Sequence, residues 1–182
     1  DYAINSIDLV YRNFIHLNAD LTTITLVQGD ALGGGFESAI SANVVIAERG
    51  VKMGLPEALF NLFPGMGAYS LLSRKIGSGA AEKMILSGKL FRSEELFDLG
   101  IVDVLAEKGG GEIAVYNYMK TANRSSNTYS MMRKVRDICN QVDYKELQDI
   151  AMIWVDAALK LKDKDLRMMS RLVRRQNAKI SS

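Results

Sequence analysis

The segment GDALGGGFESAI, residues 29–40, places three consecutive glycines just before Glu37. Glycine inside a helix or strand costs roughly 0.5–1 kcal/mol relative to alanine, because it loses more backbone freedom on folding. A run of three therefore indicates that another group must come close to the backbone. The apolar, β-branched residues 22–29 predict a buried strand before the run, and residues 43–50 predict a second strand after it. This order predicts an α/β fold in which the turn binds a ligand.

The composition describes a protein of nearly balanced charge with enough apolar residues for one substantial core. Hydrophobic residues make up 48% of the 182, and 23 Lys and Arg face 21 acidic residues, which argues against a nucleic-acid-binding protein. A single cysteine, Cys139, excludes an intramolecular disulfide and is expected to be buried. No stretch approaches the ~18–20 apolar residues of a membrane span, so a cytoplasmic location is expected.

Glycines punctuate the middle of the chain. Gly77 is expected to end a helix over about residues 67–75, and Gly88 to end another over about residues 80–86. Ser93 is the expected N-cap of the next helix.

The C-terminal part has a helical pattern from about residue 112 onward. The glycines at 109–111 are the candidate hinge before it. We therefore expect an α/β core over residues 1–108 and a helical region over residues 109–182.

Four kinds of site use a glycine-rich turn after a strand, and three of them fit poorly here. The glycine spacing departs from a dinucleotide fingerprint, and no G-K-[ST] follows for a phosphate loop. A nucleophile elbow needs glycines around Ser38, which instead lies between Glu37 and Ala39. The only imidazole, His16, falls at the end of a predicted helix, and one His with one Cys does not suit a metal centre.

The fourth use is an oxyanion site made of main-chain amides. Consecutive glycines at a helix start present unpaired N–H groups with no Cβ in the way. Such donors stabilise a developing oxyanion by about 3–4 kcal/mol each. Glu57 follows Pro56 in MGLPEALF, and it can face Glu37 if the second strand returns the chain to the same end of the sheet. Two carboxylates in an apolar pocket raise each other's pKa, which suits the addition or removal of water.

Three stretches together resemble the crotonase (enoyl-CoA hydratase/isomerase) superfamily over about residues 22–105. They are QGDALGGGFESAISANVVIA, MGLPEALFNLFPGMGAYSLLSRKIG and LSGKLFRSEELFDLGIVDVL. Within that superfamily, LFNLFPGMGAYS resembles the diffusible signal factor synthases of bacterial quorum sensing, because ordinary hydratases tend to carry a second glycine pair after the Pro-Gly. The resemblance implies a crotonase-like (ββα)-type superhelix with a helical C-terminal region, in which this chain lacks the N-terminal part.

The resemblance also implies the site residues. Gly34 would supply one oxyanion amide, with Gly33 and Gly35 binding substrate beside it, and the second amide would come from a loop absent from this chain. Glu37 and Glu57 match the two catalytic glutamates of hydratases. In the dehydration direction Glu57 would remove the C2 proton and Glu37 would protonate the departing 3-hydroxyl, although the two roles could be exchanged.

The implied activity is dehydration of a 3-hydroxyacyl chain on acyl carrier protein to a cis-2-enoyl thioester, followed by hydrolysis. The product would be a free cis-2-unsaturated fatty acid that serves as a signal. One alternative is an enoyl-CoA hydratase of fatty acid metabolism. The other is a catalytically silent crotonase homologue that binds acyl groups or a kinase.

The resemblance further implies an acyl pocket and a set of partners. Met66, Trp154 and Leu172 match pocket residues, and the alternative is that they belong to the core. No cofactor is implied beyond an acyl thioester of acyl carrier protein or coenzyme A. A homotrimer or hexamer and a sensor kinase partner are expected from the family.

The end of the chain is basic. This basic segment is either a solvated helix face or a docking surface, and the docked group would be an acidic carrier protein or the phosphates of coenzyme A. Nucleic acid is disfavoured as a partner because no aromatic residues are interleaved with the basic ones. Its basic residues are Lys160, Lys162, Lys164, Arg167, Arg171, Arg174, Arg175 and Lys179.

Overall fold

The computed structural model describes residues 2–180, with side chains from residue 3 to residue 174. The strands, in chain order, are β1 (Ile24–Val27), β2 (Ala31–Leu32), β3 (Val44–Glu48), β4 (Lys52–Gly54), β5 (Leu90–Arg92) and β6 (Val104–Ala106). The α-helices are α1 (Tyr2–Phe14), α2 (Gly34–Ile40), α3 (Ala68–Ile76), α4 (Ser78–Ser87), α5 (Ser93–Asp98), α6 (Gly111–Arg124), α7 (Ser126–Cys139), α8 (Tyr144–Ala158) and α9 (Asp163–Ile180). Two short 3-10 helices span His16–Asn18 and Pro56–Phe60.

Two small sheets organise the first part of the chain. Strands β1, β3 and β6 form a parallel sheet with β3 in the middle, and β3 is buried along its whole length. The second sheet has the order β2-β4-β5, in which β2 and β4 are parallel. The two strands predicted around the glycine run are confirmed as β1 and β3, each shorter than predicted. The expected α/β architecture with a helical C-terminal region is confirmed.

Glycines end the middle helices as predicted. Gly77, with a φ of 84°, separates α3 from α4, and Gly88, with a φ of 59°, follows α4. The prediction that Ser93 is an N-cap is wrong by one position, because Arg92 occupies that place. The Ser93 hydroxyl instead donates to the main-chain oxygen of Glu48 at 2.8 Å, which ties α5 to the end of β3.

The glycines before α6 are fixed by a buried carboxylate. Glu48 Oε2 accepts the Gly109 N–H at 2.9 Å, and its Oε1 accepts the Gly111 N–H at 3.1 Å and the Gln28 side-chain amide at 3.1 Å. These hydrogen bonds lower the pKa of Glu48, with the bond from Gly109 contributing most. The predicted boundary between an α/β core and a helical region at residues 109–111 stays a prediction. In the structure the side chain of Glu48 holds this segment against the end of β3.

Two other predicted placements change. Cys139 is exposed, so the expectation that it packs inside is wrong; it lies at the end of α7, beside the exposed Val135 and Ile138. Helix α1 ends at Phe14, before the buried His16, whose Nε2 lies 3.0 Å from Asp137 Oδ2 on α7.

Candidate active site

The glycine turn links β2 to α2, and its first position has a backbone conformation that favours glycine. Gly33 has a φ of +56°, and a Cβ on it would lie 2.6 Å from Glu57 Oε1. A Cβ on Gly34 would lie 3.0 Å from the sulfur of Met66, whereas one on Gly35 would meet nothing within 4 Å. The close approach inferred from the triplet is therefore the approach of Glu57 and Met66.

The amides of the turn have different roles. The Gly33 N–H donates to the Gly54 oxygen at 2.9 Å, which joins the turn to the end of β4. Gly34 and Gly35 begin α2, and neither amide meets a protein acceptor within the part of the chain that the structure describes. The Gly34 N–H is therefore free to bind an oxygen atom of a ligand.

Glu37 projects from the first turn of α2 into the interior and is only 2% exposed. Its Oε1 accepts the N–H groups of Met66 at 2.8 Å and Ala68 at 3.0 Å. Burial raises the pKa of Glu37 to about 7; the charge of Glu57 acts in the same direction, and the two amide hydrogen bonds act against it. Glu37 can therefore exchange a proton near neutral pH.

Glu57 lies on the 3-10 helix Pro56–Phe60 and is half-buried. Burial raises the pKa of Glu57 to about 6, against a smaller lowering by its own main-chain amide. Its Oε2 is buried and has no hydrogen-bond partner among the described residues. A buried carboxylate oxygen without a partner costs free energy, which a ligand proton or a water molecule would recover.

Sheet register brings the two glutamates together although 20 positions separate them. The parallel pairing of β2 with β4 sets Leu32 beside Gly54, so the glycine turn and the Pro56–Phe60 helix both begin at the same sheet end. Glu57 Oε1 then lies beside Gly33, and the charge of Glu57 reaches Glu37.

The residues expected to line a pocket occupy three elements. Met66 lies over Gly34 through its sulfur, and the Trp154 ring of α8 packs on Gly65, where a Cβ would lie 2.4 Å from Trp154 Cγ. Leu172 is half-buried on α9. The structure thus brings Glu37, Glu57, the glycine turn and Met66 together, and it packs Trp154 on Gly65, the residue before Met66.

Two features of the site are not predicted by the motifs. The Met66 and Ala68 amides hold Glu37, and main-chain donors leave no side-chain signature; Gly67, with a φ of +110° before α3, is the signal that could have found them. The other feature is a contact between α9 and the Pro56–Phe60 helix, where Asn61 Nδ2 donates to the buried Asp165 at 3.5 Å.

A comparison with known protein families identifies the family of the chain. The family model described as enoyl-CoA hydratase/isomerase matches residues 10–148. The chain belongs to the enoyl-CoA hydratase/isomerase family. The crotonase resemblance over the glycine turn and both glutamates is confirmed at this level.

Two curated relatives match different shares of the chain. The peroxisomal bifunctional enzyme of Danio rerio is 34% identical over 111 residues, 60% of this chain and 16% of that protein. The fatty acid oxidation complex subunit alpha of Pseudomonas putida is 36% identical over 86 residues, 47% of this chain and 12% of that protein. The chain thus spans a small part of the length of these relatives.

A solved structure of the family shares the fold. An enoyl-CoA hydratase from Mycobacterium avium subsp. paratuberculosis superposes with a TM-score of 0.77 at 18% identity, covering 95% of this chain and 69% of that one. The crotonase-like α/β fold is therefore shown.

Two kinds of feature are absent from the described residues. No cluster of three or more His, Cys, Asp or Glu side chains there could hold a metal ion. None of the helices within residues 2–180 combines the length and apolar character needed to cross a membrane.

Proposed function

We propose that the protein adds water to, or removes it from, the C2–C3 bond of an acyl thioester. One observation carries the proposal: two carboxylates, Glu37 and Glu57, converge beside glycine amides, with pKa values raised to about 7 and about 6. Two acids that exchange protons near neutrality can act as general acid and general base in one reaction. Water addition and elimination require both roles.

The depth of burial favours one assignment of these roles. Glu37 is the more deeply buried carboxyl, so burial disfavours its charged form more strongly and suits it to protonation of the departing 3-hydroxyl, whereas the half-buried Glu57 suits removal of the C2 proton. The hydrogen bonds from Met66 and Ala68 fix one oxygen of Glu37 and leave the other for the substrate. The hydration direction uses the same groups in reverse.

The thioester oxygen would bind the free amide of Gly34. Proton loss at C2 moves negative charge onto this oxygen, and a positioned donor stabilises that charge by about 3–4 kcal/mol. Acyl chains on coenzyme A and on acyl carrier protein present the same thioester, so the site chemistry suits both. The names of the family and of the solved relative support coenzyme A.

Replacing each glutamate by glutamine tests the proposal. Glu37→Gln and Glu57→Gln should each lower kcat/KM for 3-hydroxydecanoyl thioesters by about 10²–10⁴, because each removes one proton-transfer group. The control is Glu82→Gln, which changes an exposed glutamate on α4. Turnover unchanged in either site variant would refute the proposal, whereas a wild-type protein that binds acyl groups without turnover would establish the silent homologue.

A second candidate function is more specific. The protein would dehydrate a 3-hydroxyacyl chain on acyl carrier protein to a cis-2-enoyl thioester and then hydrolyse the thioester to release a fatty acid signal. The support for this candidate is the resemblance carried by LFNLFPGMGAYS, whose Met66 lies over Gly34 and whose Gly65 packs against Trp154. A carboxylate could also activate water for the hydrolysis. Free cis-2-decenoic acid from the carrier-bound substrate would establish this activity, and a trans-2-enoyl thioester as sole product would refute it.

We also propose the expected homotrimer or hexamer. Its support is a set of large apolar side chains exposed on α6 and α7, among them Ile113 at 67% and Ile138 at 71%. Light scattering would measure the mass, and a monomer at micromolar concentration would refute the assembly. A sensor kinase partner and a cytoplasmic location are proposed together with the second candidate, the synthesis of a fatty acid signal. Refutation of that activity would also remove the support for both.

A further inference from the structure

Charge is unevenly distributed along this nearly neutral chain. The segment from Lys160 to the end has eight of the 23 Lys and Arg residues and two of the 21 acidic residues, so it is positive by six. The remainder is negative by four. The Arg175 and Lys179 side chains lie outside the described residues, and the described part of α9 before them carries four exposed cations.

Four cations of α9 share one face of the helix. Lys164, Arg167, Arg171 and Arg174 follow one another at intervals of three or four residues, and all four are exposed. We call them the basic stripe. At a rise of 1.5 Å per residue the stripe is about 15 Å long. The buried Asp165 and half-buried Leu172 define the inward side, roughly opposite the stripe by helical geometry.

The acids of α9 do not neutralise the basic stripe. Asp165 faces inward, where its carboxylate accepts the Lys162 N–H at 3.0 Å and the Asn61 side-chain amide at 3.5 Å. Across the described residues, ion pairs within 4.0 Å include none of the four stripe cations. The exposed Asp163 begins α9 on the same side and forms no ion pair within 4.0 Å in this described part of the chain either, so this face, with four cations and one acid, carries a net positive charge of three.

The position of α9 connects this charge to the candidate active site. Its first turns pack against the Pro56–Phe60 helix, which bears Glu57, and Asp165 contacts Asn61 at the end of that helix. The basic stripe thus lies on the outer side of an element that covers the catalytic segment.

We propose that the basic stripe docks an acidic helix of an acyl carrier protein, whose pantetheine arm delivers the acyl chain to Glu37 and Glu57. The inference rests on the proposed thioester chemistry and names the partner that brings the substrate. A straight row of four cations about 15 Å long matches the side of a helix, whereas coenzyme phosphates would need a compact cluster. Complementary charge of this kind mainly speeds association and weakens with salt.

A charge-reversal variant tests the docking. Lys164→Glu, Arg167→Glu, Arg171→Glu and Arg174→Glu, combined, should reduce kcat/KM for 3-hydroxydecanoyl acyl carrier protein at least tenfold at low salt. Turnover of 3-hydroxydecanoyl-CoA should change less than about twofold, because the variant leaves the catalytic residues intact. A matched control reverses four exposed cations outside α6, α7 and α9: Lys52, Lys83, Arg92 and Lys108.

Binding of acyl-free carrier protein, followed by fluorescence anisotropy, separates docking from catalysis. Salt-sensitive binding that the stripe variant loses and the control keeps supports the proposal, even if no thioester is turned over and the proposed function fails. Equal loss in the control, no loss in the stripe variant, or an equal loss of coenzyme A turnover would each overturn it. Binding to anionic lipid vesicles but not to carrier protein would also overturn it. Should the reversed protein misfold, Arg167→Gln with Arg171→Gln serves the same comparison with a smaller expected loss.

Discussion

Gly33 meets two structural demands at once. Its φ of +56° is one that side-chain-bearing residues rarely adopt, and Glu57 Oε1 stands where its Cβ would be. Gly35, two residues later, has neither a positive φ nor a neighbour within 4 Å of a Cβ. The site therefore requires glycine at position 33 and does not require it at position 35.

Gly33→Ala should impair both folding and catalysis, because the methyl group displaces Glu57 and the backbone conformation is strained. We expect a loss of about 1–3 kcal/mol in the free energy of unfolding and a large fall in kcat. Gly35→Ala is the matched control and should be close to wild type in stability. Urea denaturation and thioester turnover measure both, and equal behaviour of the two variants would contradict the assigned geometry.

The buried Glu37 makes stability depend on pH. Its pKa is about 7 in the folded protein against 4.5 for an ordinary glutamate, so its favourable contribution is complete below pH 4.5 and is lost as the pH rises through 7. Glu37→Gln removes this loss and should be more stable than wild type at pH 8, by on the order of 3 kcal/mol. The difference should vanish near pH 4, as followed by urea denaturation. A variant less stable than wild type at pH 8 would contradict the assignment.

At the scale of elements, Glu48 joins β3 to the start of α6. Its pKa is lowered from 4.5, so this carboxylate stabilises the fold above that pH and the contribution is lost as the pH falls through the lowered value. Glu48→Gln should therefore be less stable than wild type at pH 7, with a smaller difference at pH 3. Faster hydrogen exchange at Gly109 and Gly111 would locate the effect.

An exposed carboxylate on the same turn provides the control for Glu48. Glu107 pairs with Arg49 at 2.9 Å, and their side chains are 82% and 46% exposed. Exposed pairs contribute little to stability, so Glu107→Gln should change neither the unfolding free energy nor its pH dependence appreciably. If both variants behave alike, Glu48 does not anchor α6.

The ends of helices and strands could be predicted from the sequence where neighbouring residues determine them. Gly77 and Gly88 end α3 and α4 because a positive φ suits glycine, and the apolar run of β3 marks a buried strand. The Ser93 hydroxyl bonds to Glu48, 45 positions away, rather than capping its own helix. Such a long-range partner has no signature in the local sequence.

At the scale of the whole molecule, the candidate site depends on strand pairing. The motifs identify Glu37 and Glu57, but only the β2–β4 register explains why the second carboxylate lies against Gly33. The Met66 and Ala68 amides, and the contact of α9 with the Pro56–Phe60 helix, arise from tertiary packing that composition and periodicity do not encode. Exposure of Cys139 likewise follows from the outward orientation of its helix position.

The most direct test of the acid pair is the fate of the 3-hydroxyl oxygen of a 3-hydroxydecanoyl thioester labelled there with ¹⁸O. Mass spectrometry of the products from carrier-protein and coenzyme A thioesters would follow the label. The wild-type protein should release the label as water and form a 2-enoyl product, and Glu37→Gln and Glu57→Gln should each suppress that release. Retention of the label in every product, or release at the wild-type rate from either variant, would contradict the account.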